Sequence, residues 1–314
     1  MIMQPLISIC IPAYKNEALF KRLLDSIHIQ LFTNFEVIVT DDSPNERIEI
    51  LCKEFKQKFE ISYFRNETSL GSPANWNYAI SKAEGEWIKI MHADDWFTSK
   101  DSLSMFVKAI KSGVSFIFSA YSNVNIGDNS SKRNRLSIWE LTLLKNSPFN
   151  LFKKNFIGHP STTLIKKNSD KIFYDETINW VVDFDYYIRY LSHYKNFVYI
   201  ETPLINIGIH KNQITKSSFR IKEVEIPENL YLLKKIGLQK LKNIFVYDYY
   251  WRLCRNLQLR KPSDIIPYYQ TESIPKPILK IIKFQSKLSK SFLQIGLFSK
   301  STMCIGYLRN YFQD

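Results

Sequence analysis

Glycine is scarce in this chain, with 9 residues among 314, and the turn after the first predicted strand contains none. That turn reads PAYKNE over residues 12–17. A dinucleotide-binding oxidoreductase needs a glycine-rich turn at this point, because only glycine lets the backbone approach a pyrophosphate closely. The sequence therefore argues against that class of enzyme.

Paired cysteine motifs and long apolar runs are also absent. No uncharged apolar run approaches the length that spans a bilayer. The N-terminal MIMQPLISICIP lacks the basic start of a signal peptide and leads directly into a strand pattern. We therefore expect a cytosolic protein whose thiols are reduced and structural. The four cysteines are Cys10, Cys52, Cys254 and Cys304.

Positive charge is in excess and is concentrated near the end of the chain. The net charge is +13, and residues 221–314 contribute +9 of it through 16 Lys or Arg against 7 Asp or Glu. A basic segment of this kind indicates an anionic partner: membrane lipid, nucleic acid or a phosphorylated substrate.

Short apolar strands alternate with amphipathic helices through the first third of the chain. This alternation predicts an α/β fold with a mostly parallel central sheet. Residues 125–135 are polar and predict a mobile loop. The predicted strands are 6–11, 35–40, 61–64, 87–91 and 115–119, and the predicted helices are 17–31, 44–58, 73–83 and 101–112. Further on, a helix is expected near 137–145 and short strands near 161–166 and 197–200.

Two of the predicted strands end in adjacent carboxylates. The first run ends at Asp41 and Asp42, and the second ends in His92, Asp94 and Asp95. Like charges repel unless a cation or hydrogen-bond donors lie between them, and ligands bind outside the carboxyl ends of strands in open sheets. Both pairs together indicate one shared site, although each pair alone is also typical of a capped turn.

Four segments, in this order, resemble the family 2 glycosyltransferases, which have the GT-A fold, and in particular those of bacterial surface-polysaccharide synthesis. The resemblance is clear over the first third of the chain, weaker to about residue 215, and absent beyond. The segments read ISICIPAYKNE at 7–17, FEVIVTDDS at 35–43, RNETSLGSPANWNYAISKAEGEWI at 65–88 and MHADDW at 91–96.

The resemblance implies a UDP-sugar donor and residues that bind it. The first acidic pair would meet the uracil and ribose, and Tyr14 offers a ring for stacking on the base. The full set of implied donor-binding residues is Pro12, Tyr14, Glu17, Asp41, Asp42, Asn77, His92 and Asp94.

The segment HADD at 92–95 stands where the family has its metal-binding DxD motif, with His92 in place of the first Asp. The resemblance implies Mn²⁺ or Mg²⁺ as cofactor, held by Asp94, Asp95 and His210. Oxygen ligands and a neutral imidazole suit these ions. A lone histidine is more often structural, and that interpretation of His210 stays open.

The segment WVVDFD at 180–185 is similar to the family's ED motif, with Val182 in place of the Glu. Asp183 then matches the catalytic base of an inverting transfer to a hydroxyl of a glycan or a lipid-linked oligosaccharide. The alternative is a helix N-cap, and both roles are compatible. The loop at 158–161 is similar to the glycine loop that faces the acceptor.

The two regions of the chain are predicted to differ in role. Residues 1–220 form the GT-A transferase domain, and residues 221–314 form a helical basic region. Residues 278–298 show one apolar and one lysine-rich side on a helical wheel, which is typical of a helix in a membrane interface. We expect a cytoplasmic protein peripheral on the inner face of the cell membrane, although packing of this helix on the protein is the alternative.

Other classes fit less well. A sugar-nucleotide pyrophosphorylase needs a glycine-rich phosphate loop near the N-terminus, and none is visible. No recognisable nucleic-acid motif accompanies the basic tail, and the acidic pairs would repel phosphates unless a metal intervened. A catalytically inactive GT-A scaffold or nucleotide-binding protein remains an alternative, because the DxD motif is altered.

Overall fold

The structure is a computed structural model that describes residues 4–167, 170, 172–210, 219–269 and 274–311. The chain divides into two compact units. The first comprises residues 1–141 and 156–211, and the second comprises residues 142–155 and 212–314. The predicted domain boundary at residue 220 stays a prediction.

A nine-stranded mixed sheet is the centre of the first unit, with the order β3-β2-β1-β4-β8-β6-β9-β5 and β7 paired to β6. Strands β1 to β4 are parallel to one another, whereas β8, β5 and β7 run antiparallel to their neighbours. The predicted α/β class is confirmed, and the sheet is mixed, because β6 and β9 are also parallel to each other. The strands are β1 (Ile7–Ala13), β2 (Phe35–Asp41), β3 (Ile61–Arg65), β4 (Trp87–Ile90), β5 (Asp95–Phe97), β6 (Phe116–Asn125), β7 (Ser131–Asn134), β8 (Thr163–Lys166) and β9 (Phe197–Ile209).

Helices cover the sheet because each has one apolar face. In α1, the buried residues include Phe20, Leu23, Leu24 and Ile27, which recur at helical spacing and pack into the core with Ile9 and Val37. The helices of this unit are α1 (Glu17–His28), α2 (Arg47–Phe55), α3 (Ala74–Ser81), α4 (Ser102–Lys108), the start of α5 (Ile138–Asn146) and α6 (Val182–Tyr194).

The polar segment 125–135 comprises the end of β6, a turn and β7, so its prediction as a loop is wrong for Ser131–Asn134. Strand β7 pairs with β6 from Tyr121 opposite Asn134 to Val124 opposite Ser131. The side chains of residues 125–135 are exposed or half-buried, so they need not be apolar. Backbone hydrogen bonds to β6 therefore stabilise β7, although the composition of β7 does not indicate a strand.

A buried polar network ties β1 and β2 to the turn before β4. Ser8 Oγ donates to Glu36 Oε1 at 2.6 Å, and the backbone N–H of Gly85 donates to Ser8 Oγ at 2.8 Å. Glu36 Oε1 also accepts the N–H of Glu84 at 2.7 Å. A Cβ at position 85 would lie 2.7 Å from the backbone nitrogen of Ser8, so only glycine fits there.

The second unit is helical, as the sequence predicted. Its core contains Trp251, which lies 5.8 Å from Phe284 between ring centroids and whose carbonyl accepts the side-chain amide of Gln285 at 2.8 Å. The helices are α7 (Lys222–Ile236), α8 (Ile244–Asn256), α9 (Lys276–Ser286), α10 (Lys290–Gln294) and α11 (Gly296–Tyr311), with short 3₁₀ turns at Pro148–Phe152, Leu238–Lys242 and Pro262–Asp264.

Residues 278–298 do not form the single interfacial helix predicted from the helical wheel. They are divided among α9, α10 and the start of α11. Ile278, Ile281 and Ile282, the apolar face of α9, are at most 1% exposed because they pack inside the second unit. Within the described ranges, no helix is both long and apolar enough to cross a membrane.

Gly85→Ala is expected to lower the free energy of unfolding by about 1–3 kcal/mol, the usual cost of overpacking a tight site. The added methyl would collide with the backbone of Ile7 and Ser8, which cannot move without disturbing β1. Gly127→Ala is the matched control, because its nearest atom would be Asn125 Oδ1 at 3.5 Å. Denaturant titration measures both variants, and equal midpoints would contradict the close packing at residue 85.

Candidate active site

The carboxyl ends of three parallel strands meet at one edge of the sheet. Ala13 at the end of β1 is opposite Asp41 at the end of β2, and Cys10 in β1 is opposite Ile90 in β4. The two acidic segments predicted to share a site therefore follow strands on either side of β1. This is the position at which open α/β sheets bind ligands.

Asp41 is inaccessible to solvent, and both of its oxygens accept hydrogen bonds. Oδ1 accepts the N–H of Ser43 at 2.8 Å, and Oδ2 accepts the hydroxyl of Tyr63 at 2.8 Å. Ser43 Oγ in turn accepts the N–H of Lys15 at 2.7 Å. Asp41 thus holds the turn after β1, which presents the exposed ring of Tyr14.

Asp42 organises a second loop at the same edge. Its Oδ1 accepts the side-chain amide of Asn66 at 2.7 Å and the N–H of Leu70 at 3.0 Å, and its Oδ2 accepts the N–H of Gly71 at 2.9 Å. Gly71 has a φ of +70°, a conformation that glycine adopts without strain. One carboxylate therefore closes the loop 66–71.

Three other predicted donor-binding residues, Pro12, Glu17 and Asn77, pair with or hydrogen-bond to residues of the protein. Pro12 lies in β1 opposite Thr40, and Glu17 begins α1 and pairs with Arg47 at 3.2 Å. Asn77 donates to the carbonyl of Tyr174 at 2.9 Å and accepts its N–H at 2.9 Å. The Asn77 amide also donates to a carboxylate at position 176, so it holds this segment, and its role in donor binding stays a prediction.

Asp94 and His210 come together although 116 positions separate them along the chain. His210 Nε2 is 3.0 Å from Asp94 Oδ2, and both side chains are partly exposed. This juxtaposition matches the metal-ligand prediction for these two residues. No group of three or more His, Cys, Asp or Glu side chains suited to a metal occurs in the described part of the chain. A metal here would need its remaining ligands from the donor diphosphate or water.

Asp95 differs from its neighbour Asp94, because it is buried. Its Oδ1 accepts the N–H of Gly208 in β9 at 3.2 Å, and burial, followed by the charge of Asp94, raises the pKa of its carboxyl well above the usual value. A Cβ at position 208 would lie 2.3 Å from the carbonyl oxygen of Asp94. Asp95 and Gly208 therefore anchor the acidic turn to β9, which makes Asp95 a positioning residue here and not an accessible ligand.

His92, in place of the first DxD aspartate, packs its ring against Trp76 at 4.7 Å between centroids. Burial lowers its pKa to about 4, so the ring is neutral at pH 7. Its Nδ1 is 3.9 Å from Asp95 Oδ2, and its Nε2 is inaccessible, without a hydrogen-bond partner among the described residues. The neutral ring therefore lacks the negative charge of an aspartate at this position, and its Nε2 is shielded from solvent.

A fully buried lysine lies beneath this turn. Lys89 Nζ donates to the carbonyl of Ser161, and Ser161 Oγ accepts the N–H of His92 at 3.0 Å. Burial lowers the pKa of Lys89 well below its usual value, and the nearby Asp95 opposes that shift. Lys89 thus connects the acidic turn to the loop 158–161.

Asp183 is half-buried in the first turn of α6, where its Oδ1 accepts the N–H of Phe184 at 2.9 Å. Burial, followed by the charge of Asp183, raises the pKa of Tyr121 and of Tyr187. Tyr187 donates to the carbonyl of Gly158 at 3.3 Å. Asp183 and the predicted acceptor loop therefore share these neighbours.

Asp185 is the other carboxylate of this segment, and its environment is structural. It is buried, and its Oδ2 accepts the Nε of Arg189 at 2.8 Å. Arg189 also donates to the carbonyl of Phe173 at 2.7 Å. Asp183 is therefore half-buried, whereas Asp185 is buried and ion-paired with Arg189.

Sequence reasoning missed several residues of the site, including Lys89, Tyr63 and Tyr121. Lys89 had a visible signal, because it interrupts the apolar run at 87–91. A lysine within a central strand must be buried, and a buried lysine needs partners. Tyr63 and Tyr121 occupy strand positions where tyrosine is common, so the sequence carried no such signal.

A family model confirms what the geometry indicates. The model of glycosyl transferase family 2 matches residues 8–173, which is more than half of the chain. The protein therefore belongs to glycosyl transferase family 2, and the predicted family is confirmed.

Curated relatives include proteins of archaea and bacteria. An uncharacterized glycosyltransferase of Methanocaldococcus jannaschii is 27% identical over 290 residues, covering 89% of this chain and 93% of that protein. The putative colanic acid biosynthesis glycosyl transferase WcaA of Escherichia coli is 28% identical, covering 68% of this chain and 76% of that protein. A GalNAc(5)-diNAcBac-PP-undecaprenol beta-1,3-glucosyltransferase of Campylobacter jejuni is 25% identical over 54% of this chain and 62% of its own length.

Solved structures show the same fold. Staphylococcus aureus TarS 1-349 in complex with UDP-GlcNAc aligns with a TM-score of 0.55 at 16% identity, covering 97% of this chain and 79% of that one. The mannosyltransferase PcManGT from Pyrobaculum calidifontis, in complex with GDP-Man and Mn²⁺, aligns with a TM-score of 0.54 at 13% identity, covering 100% of this chain and 89% of that one. The predicted GT-A fold is confirmed.

Proposed function

We propose that the protein is a metal-dependent, inverting glycosyltransferase that moves a sugar from a UDP-sugar to a hydroxyl of a glycan or lipid-linked oligosaccharide. The process would be bacterial surface polysaccharide biosynthesis. The main support is the pairing of Asp94 with His210 beside the strand ends that carry Asp41 and Asp42. Such an arrangement suits a nucleoside diphosphate between a base pocket and a metal.

Tyr14 is the residue most suited to bind the uracil. Its ring is 56% exposed, and the Lys15 ammonium lies 4.7 Å from the ring centroid. Asp41 and Asp42 hold the loops on which a base would rest, because their oxygens are bonded to backbone N–H groups. The solved TarS complex contains UDP-GlcNAc, which supports a uridine nucleotide as donor.

Asp94 and His210 would hold Mn²⁺ or Mg²⁺. A carboxylate and a neutral imidazole at 3.0 Å from each other are a suitable partial ligand set for these ions. When bound, the ion would neutralise charge on the diphosphate leaving group. The Mn²⁺ in the PcManGT complex supports a metal in this fold. Lys89, buried below the turn, holds the loop 158–161 beside it through the carbonyl of Ser161.

Asp183 is proposed as the general base. It would take the proton of an acceptor hydroxyl while that oxygen forms a bond to the anomeric carbon and the bond from carbon to the UDP oxygen breaks. Attack from the face opposite the leaving group inverts the configuration. The half-buried position of Asp183 beside Tyr121 leaves it better placed for this than Asp185, whose carboxylate is bound to Arg189.

An acceptor attached to a lipid carrier would place the protein at the cytoplasmic face of the cell membrane. The Campylobacter relative carries an undecaprenol-linked substrate in its name, and WcaA is described as a colanic acid enzyme. The net charge of +13 supports attraction to an anionic surface. An inactive scaffold is the competing proposal, supported by His92 in place of an aspartate.

Tyr14→Ala is expected to weaken UDP binding about ten-fold, since stacking of one base on an aromatic ring contributes about 1–3 kcal/mol. Leu31→Ala is the matched control, because Leu31 is exposed to a similar degree at 58%. Calorimetry with UDP, GDP and dTDP measures the affinities, and transfer assays with the matching sugars measure activity. Tighter binding of GDP or dTDP than of UDP would overturn the donor class, and absence of turnover with every donor would favour the scaffold.

Asp183→Asn is expected to reduce transfer by about 10²–10⁴-fold, the usual contribution of general base catalysis, because the amide cannot accept the proton. UDP affinity should be unchanged. Asp128→Asn, a charge change in the exposed hairpin turn, is the control. Single-turnover measurements report the chemical step, and normal turnover in Asp183→Asn would exclude it as the base.

Removal of divalent metal by EDTA is expected to abolish transfer, and Mn²⁺ or Mg²⁺ should restore it. Asp94→Ala should remain inactive at any metal concentration, because it removes one of the two proposed ligands. Asp101→Ala, at an exposed position before α4, should behave as the unaltered protein. Full activity in EDTA would show that side chains alone balance the charge of the diphosphate.

A further inference from the structure

The outward face of α11 is apolar and exposed. Leu297 is 74% exposed, and Ile305 and Leu308 are 46% and 52% exposed. These residues recur at helical spacing, so they form one stripe along the helix. Phe298 lies beside Leu297 on this face, and Ile295 is an exposed apolar residue directly before the helix. We call these five residues the α11 stripe; they are Ile295, Leu297, Phe298, Ile305 and Leu308.

The opposite face of α11 is fixed within the second unit. Ser299 Oγ accepts the indole N–H of Trp251 at 3.2 Å, and Met303 is buried. Gly306 approaches Tyr247 so closely that an added Cβ would lie 3.0 Å from the tyrosine oxygen. Because this face is packed, the helix cannot rotate to bury the α11 stripe.

Positive charge predominates around the stripe, although Lys300 Nζ lies 2.6 Å from Asp248 Oδ1. Residues 274–311 contain seven Lys or Arg and no Asp or Glu. Lys300 and Arg309 border the stripe on its two sides, as their positions along the helix require. All seven cationic residues are exposed, and they are Lys276, Lys280, Lys283, Lys287, Lys290, Lys300 and Arg309.

We infer that the α11 stripe and the cationic residues beside it bind the surface of an anionic lipid bilayer. An apolar stripe bordered by Lys and Arg is the pattern of helices that lie in a membrane interface, with apolar side chains below the headgroups and cations beside the phosphates. Nucleic acid would satisfy the cations but would leave five large apolar side chains in water. The inference deepens the proposed membrane location by naming the surface responsible.

This surface is not the one that the helical wheel predicted. The apolar residues of α9 are buried, so its exposed lysines contribute charge without an accessible apolar face. The apolar contribution comes instead from α11, where Leu297 and Leu308 are the residues with the highest exposures. Vesicle binding should therefore depend on α11 side chains.

The test uses the full chain and vesicles of phosphatidylcholine with or without phosphatidylglycerol. The unaltered protein should co-sediment with the anionic vesicles only, and added salt should weaken binding because it screens the charges. Leu297→Ser combined with Leu308→Ser should lower binding about ten-fold or more, since apolar burial drives interfacial insertion. Leu31→Ser combined with Ile50→Ser, two exposed positions of the first unit, is the matched control.

Cys304 provides an independent readout within α11. It is exposed, whereas Cys10, Cys52 and Cys254, the other cysteines of the chain, are buried. Anionic vesicles should slow its reaction with a charged maleimide several-fold in the unaltered protein, and not in the α11 double variant.

The outcomes separate the two proposals. If the unaltered chain stays in the supernatant with anionic vesicles, the membrane location itself is wrong. If the α11 double variant binds as well as the control and Cys304 reacts at the same rate with and without vesicles, the location stands and the α11 surface is wrong. Activity on a soluble acceptor should be unchanged in the α11 double variant, which confirms that it folds.

Discussion

A carboxylate removed from water needs hydrogen-bond donors, and the candidate site is organised around that requirement. Asp41, Asp42 and Asp95 are nearly inaccessible, and each accepts at least one backbone N–H. Those bonds determine the path of the turn after β2, the loop 66–71 and the contact with β9. The accessible groups, Tyr14 and Asp94, are held in place by this buried set. Residues that resemble ligands in the sequence thus divide into those that build the site and those exposed to a ligand.

Much of the fold of the first unit was predictable, because the residue pattern of each helix or strand lies within a short segment of sequence. Apolar runs and helical spacing located β1 to β4 and α1 to α4 to within a few residues, since each element shows its periodicity in a short window. The strands after β4 were harder to predict from the sequence. β7 is polar and β9 runs for 13 residues with a register shift against β6, so partners distant in sequence decide their existence.

The sequence predicted which residues converge at the site, but it did not predict the role of each one. A motif identifies which residues converge, as with Asp94 and His210. It does not show which side-chain oxygens already accept hydrogen bonds from the protein. Asn77 and Asp95 show this, because their partners near residues 174 and 208 lie about 100 positions away. The helical wheel failed for the same reason. It found that residues 278–298 are amphipathic, but an apolar face is equally suited to a protein core, and only the structure shows that α9 is buried.

The distance along the chain between Asp94 and His210 has a consequence for biosynthesis. β5 carries Asp95 and pairs with β9 through Asp95 opposite Ile207, so the pair cannot form until the ribosome has released β9. Contacts between such distant segments form slowly, because a long loop must close first. The nascent chain can therefore pair β1 with β2 and β4 early, whereas Asp94 meets His210 only after β9 has emerged.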